Sequence, residues 1–131
     1  MPGSTGQTGD ADQQQASKRS RDDEKTRKRR EAELRNKRFR VLGPLQKRVS
    51  EVEERISKLE AEQADRSRQL ADPTVYDDAR RRDQLIGDYQ SGASKLAELT
   101  GRWEAAQEEL DQLETELAAQ EAKEALAAGE P

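Results

Sequence analysis

The residues of this chain that could do chemistry are its crowded cations. Lys25, Arg27, Lys28, Arg29, Arg30, Arg35, Lys37, Arg38 and Arg40 follow one another closely, with Lys47 and Arg48 soon after. Fixed positive charge at this density suits a polyanion, because each cation can neutralise a phosphate and release a condensed counterion. Phe39 is the one aromatic among them, so stacking and base readout should be minor. Other chemistries are excluded by residue type. The sequence has no cysteine and no histidine, which removes disulfides, thiolate ligands and imidazole acid–base catalysis. Carboxylate pairs such as Glu53-Glu54, Asp77-Asp78 and Glu108-Glu109 follow from a composition that is 40% charged. They belong on solvated faces, where nothing raises their pKa for proton transfer. No EF-hand spacing and no phosphate-binding G-x-x-x-x-G-K-[ST] loop occurs, and the GDYQSG of residues 87–92 sits in a helical pattern. The expectation is no catalytic residue, no metal and no cofactor.

The charge is strongly partitioned. Residues 18–48 hold fourteen Lys/Arg against five Asp/Glu, a balance of +9, and residues 49–131 hold ten against twenty-one, a balance of −11. The overall net charge of −4 therefore hides a basic arm joined to an acidic body.

The elements that must carry these residues are helical. Only 31% of the 131 residues are hydrophobic and four are aromatic: Phe39, Tyr76, Tyr89 and Trp103. That is too little for a thick globular core and leaves disorder or long helices with a narrow seam. No run approaches the roughly 18 apolar residues of a membrane span, and the first residues lack the apolar stretch of a secretory signal. Residues 1–21 are rich in Gly, Ser, Thr, Gln and Asp and read as a disordered linker or tail. Residues 22–43 read as a basic helical arm, weakly packed because Leu34 and Phe39 supply most of its apolar surface. Gly43-Pro44 should end that helix, with Pro44 opening the next.

From there the spacing predicts a hairpin over 44–128. Leu45, Val49, Val52, Ile56 and Leu59 step by alternating four and three residues, a heptad seam that continues through polar Gln63 and Arg66 to Leu70. Residues 71–78 break the pattern at Pro73, and Asp77 or Asp78 suits a helix N-cap. A second seam follows: Leu85, Tyr89, Gly92, Leu96, Leu99, Trp103, Ala106, Leu110, Leu113 and Leu117. Two seamed helices on a short loop should close as an antiparallel coiled coil. A turn near Thr74 places Leu59 by Tyr89 and Gly92, Val52 by Leu96 and Leu99, and Leu45 by Trp103. Trp103 should pack on Leu42 and Leu45, Tyr76 should fold back over the seam near Leu70, and Ile56 or Leu59 should fill the space at Gly92. Gln63 and Arg66 read as a register device or a wet end of the coil. Gly87, Gly92 and Gly101 each cost a helix interior roughly 0.8–1 kcal/mol relative to alanine.

These segments resemble a known family. RKRREAELRNKRFRVLGPLQKRVSEVEERISKLEAEQ, then RQLADPTVYDD, LIGDYQ and RWEAAQEELDQLE, are similar to the C-terminal domain of ABC-F ATPases, the Uup type in particular. The basic helix, the Pro-Leu start of the first coil, the turn from Leu70 to Tyr76 and Trp103-Glu104 fall in that family's order over about residues 25–117. The resemblance implies an antiparallel coiled-coil hairpin with a basic linker, following two ATP-binding cassettes, in a cytoplasmic protein that acts on ribosomes and translation. It also implies DNA binding. The cassettes lie outside this sequence, so no ATPase activity is expected of it.

Two functions are weighed. In the first, the basic arm binds DNA or ribosomal RNA non-specifically, through the eleven cations from Lys25 to Arg48, as part of a monomeric module with no membrane role. In the second, the chain is a structural or protein-interaction spacer, and Glu108, Glu109, Asp111, Glu114 and Glu116 neutralise Arg30, Arg35, Lys37 and Arg38.

Overall fold

A computed structural model describes residues 3–129, with side chains described from residue 13 onwards. The described residues form three helices, α1 (Gly3–Ala71), α2 (Pro73–Tyr76) and α3 (Ala79–Ala127). The protein is all-α, and its long helices pair as an antiparallel coiled-coil hairpin. It divides into two compact units, residues 1–41 and residues 42–131.

Two boundaries differ from the sequence expectation. The expected tail over 1–21 is helical from Gly3, and its first two residues lie outside the described part. Gln13–Gln15, Ala16 and Lys18–Arg21 are fair to good helix formers, and extending an existing helix is far cheaper than nucleating one. The expected break at Gly43-Pro44 is also absent, since Pro44 lies inside α1. Pro44 removes one backbone bond, at a cost of about 3 kcal/mol in a helix interior. Pro44 is exposed, and so is Arg40, whose carbonyl the missing N–H would have served. Burial of Leu42, Leu45 and Val49 around it offsets the cost.

The hairpin core is thin, as its composition requires. Leu42, Leu45 and Val49 of α1 pack with Ala106, Leu110 and Leu117 of α3, flanked by half-buried Trp103 and Leu113. No described side chain is fully buried. Trp103 sits at the edge of this cluster, and its indole N–H donates to Glu53 Oε1 at 2.9 Å. Its contacts thus reach towards the turn beyond the expected Leu42 and Leu45, and it shares a shallow recess with Ile56 and Thr100.

The register differs by about one heptad. Leu59 lies in a groove with Leu99, Val52 with Ala106, and Arg48 Nη1 meets Glu109 Oε2 at 3.9 Å. These pairs centre near Asp78–Ala79 instead of Thr74. The cause is α2, which continues the first helix's side of the turn and delays the reversal. Asp72 caps α2, accepting from Thr74 N at 3.0 Å and Thr74 Oγ1 at 2.6 Å, with Pro73 in its first turn. Asp78 then caps α3 by accepting from Arg81 N at 3.3 Å. Val75, 6% exposed, is the residue that closes the end of the seam. Tyr76, expected there, is 50% exposed and lies under the Arg82 guanidinium, 5.3 Å from its ring centre. Successive helical residues point about 100° apart, so the two neighbours face different ways, and Val75 is the one turned to the seam.

The hydrogen bonds from Thr74, side chain first and backbone second, hold the Asp72 carboxyl below its ordinary value of 3.8. A depressed carboxylate contributes stability above its unfolded pKa and loses it as pH falls through the folded one. Asp72→Ala is therefore expected to lower the melting temperature at neutral pH. The gap to the parent should narrow below pH 3.8, which paired thermal melts across that range will read.

Gly92 is filled by neither Ile56 nor Leu59. Gln63, only 7% exposed, lies against it. Gly87 and Gly101, by contrast, have no neighbour within 4 Å of where a Cβ would stand. Gly87→Ala and Gly101→Ala are each expected to stabilise the hairpin by about 0.8–1 kcal/mol, the helix propensity difference, as measured by urea unfolding.

Candidate nucleic-acid interface

The basic arm is part of α1, and helix geometry sorts its cations by face. Positions three and four apart share a face. Lys18, Arg21, Lys25, Lys28 and Arg35 follow that spacing, with Ala32 filling the one gap, and Phe39 is the next position in the row. At 1.5 Å per residue the row from Lys18 to Phe39 runs roughly 32 Å. All of these side chains are exposed except that of Ala32, which is half-buried. Arg29 and Arg40 are exposed beside the row, and Arg27, Arg30 and Arg38 are exposed at other angles. Lys37 is half-buried.

Some of the cations are engaged by acids on the same helix. Lys28 Nζ lies 3.5 Å from Glu24 Oε1, and Arg27 Nε lies 4.0 Å from Glu31 Oε1. Such exposed pairs are worth about 0–1 kcal/mol and yield readily to a stronger anion. The last two cations differ in setting. Lys47 pairs with Glu51 at 4.0 Å, and Arg48 reaches across the hairpin to Glu109. Arg48 therefore belongs to the hairpin's own ion pairing as well as to the basic run.

The sequence points to the cations from Lys25 onwards, with Lys18 and Arg21 inside the expected tail over 1–21. The signal was present as the 18–21–25–28 spacing. It becomes legible only once α1 is known to start before them. Among the described residues no cluster of three or more acidic, histidine or cysteine side chains could hold a metal ion, and no helix is long and apolar enough to cross a membrane.

A capped turn, a heptad seam and two antiparallel helices define a coiled-coil hairpin. Comparison adds a family likeness: residues 44–106 match the family model of the ABC transporter C-terminal domain. The comparisons with curated proteins and with solved structures returned no match. The matched segment begins at Pro44, so of the candidate cations it includes Lys47 and Arg48 alone.

Proposed function

We propose that this chain is a non-catalytic module of the ABC-F type, resembling Uup, that holds DNA or ribosomal RNA through the basic face of α1. The observation that carries the reading is the exposed row of cations from Lys18 to Arg35. A straight cationic row can follow a phosphate backbone without reading its bases. The module would act beside ATP-binding cassettes in a cytoplasmic protein working on ribosomes and translation, itself a monomer without cofactor or membrane contact. The sequence resemblance supports that setting, and the family likeness of residues 44–106 supports its coarser part, an association with ABC cassettes. Fluorescence anisotropy with a duplex DNA and a structured RNA at two salt concentrations tests it. Binding that strengthens steeply as salt falls is expected, and no binding at low salt would overturn the proposal.

A second reading, a structural or protein-interaction spacer, draws on the Arg48–Glu109 pair, in which a basic residue serves the hairpin itself. Under that reading the same titrations stay flat.

A further inference from the structure

Phe39 is the feature of α1 that phosphate binding leaves unexplained. A large apolar ring stands 76% exposed on a helix face whose other exposed side chains are cations and polar groups. It lines a shallow recess with Glu33, Asn36 and Arg40. Glu33, Asn36 and Arg40 are themselves spaced by three and four residues, so they form a second row alongside the ring. The row offers a carboxylate acceptor, an amide that both donates and accepts, and a guanidinium donor. Such a set can meet the edge of a nucleobase whose face lies on the ring. The cations of the first row end at Arg35, one turn before Phe39. A strand whose phosphates follow that row would bring a base to the ring.

We infer that Phe39, with Asn36 and Arg40, forms a stacking platform for one unpaired base, so that the arm favours single-stranded nucleic acid over duplex. This rests on the proposed phosphate binding and adds the kind of nucleic acid preferred. A duplex keeps its bases stacked in the helix interior, out of reach of a ring on a helix surface, whereas an unpaired base presents its face freely. A membrane surface fits less well. An interfacial helix needs a continuous apolar face, and here a single ring is surrounded by charged and amide groups.

The test uses the whole chain and its Phe39→Ala and Phe39→Tyr variants, each first checked for unchanged helix content by circular dichroism. Four probes are titrated: a single-stranded oligonucleotide, the same strand with abasic sites throughout, a duplex of equal length, and anionic phospholipid vesicles. The expected result is that Phe39→Ala weakens binding of the base-bearing strand about tenfold, the effect of losing one stacked base. The abasic strand and the duplex should bind the variant as they bind the parent, and Phe39→Tyr should retain parental affinity. Equal affinity of parent and Phe39→Ala for the base-bearing strand would overturn the inference while leaving phosphate binding intact. Vesicle binding lost in Phe39→Ala, with oligonucleotide binding unchanged, would replace it with a membrane contact. Failure of the parent to bind either strand would overturn the phosphate reading as well.

Discussion

Replacing Lys25, Lys28, Arg29 and Arg35 together by glutamine is expected to weaken duplex DNA binding on the order of a hundredfold or more at low salt. Each phosphate contact contributes about 0.9 to the slope of log affinity against log salt on B-form DNA. Removing four contacts should therefore flatten that slope by roughly three to four. Glutamine has a helix propensity close to that of lysine and arginine, so α1 keeps its conformation and the change reports on charge. Neutralising Lys47 and Arg48 should do less. Both already face a carboxylate, Glu51 and Glu109 respectively, and the anion would compete with those partners. Anisotropy titrations at four salt concentrations, run on both variants, separate these outcomes. An unchanged slope after the fourfold replacement would show that the exposed row does not meet phosphate.

The second large effect concerns the hairpin itself. A Cβ at Gly92 would stand 2.6 Å from Gln63 Cδ and 2.9 Å from its Nε2, too close for the amide to remain. Gln63 is held there by two bonds. Its Nε2 donates to the Tyr89 carbonyl at 2.8 Å, and its Oε1 accepts from Arg66 Nη1 at 2.8 Å. The first of these joins α1 to α3. No described buried side-chain nitrogen or oxygen lacks a partner, so displacing the amide would create an unmet group in a seam without one. An overpacked side chain costs about 1–3 kcal/mol, and a stranded buried polar group about 1–3 kcal/mol more. Relief of the glycine's helix penalty returns about 0.8–1 kcal/mol. Gly92→Leu is therefore expected to destabilise the hairpin by about 1–5 kcal/mol in urea unfolding. Gly101→Leu, on an open site, should stabilise it slightly. Adding Gln63→Ala to Gly92→Leu should recover much of the loss, because an apolar pair then replaces the crowded amide, and the double-mutant cycle will measure the coupling. Equal stability of the Gly92→Leu and Gly101→Leu proteins would show that Gln63 does not occupy the space at Gly92.

Gln63 illustrates how much of the candidate site and fold was legible. Its place on the seam was visible from the four-and-three spacing, and so was the possibility that it acts as a register device. Its partner was not visible, because the contact joins residues far apart in sequence and depends on the register. The cations of the arm were legible as composition. Their division into an exposed row, a half-buried Lys37 and a cross-hairpin Arg48 was not, because it depends on which face of α1 is covered.

Local features of the chain determined the helices of the hairpin and the residues that end them. The heptad spacing from Leu45 to Leu59 and from Leu85 to Leu117, the proline at 73 and the capping aspartate at 78 act within a few residues of themselves, so they can be read one turn at a time. The tertiary structure decided the rest. It placed Val75 and not Tyr76 under the turn, moved the pairing by about a heptad, set Gln63 against Gly92 and carried α1 through Pro44. A heptad seam is nearly the same after a shift of seven residues, so its spacing cannot choose between registers. The choice falls to the turn geometry and to the few side chains, such as Gln63, that fit in only one of them.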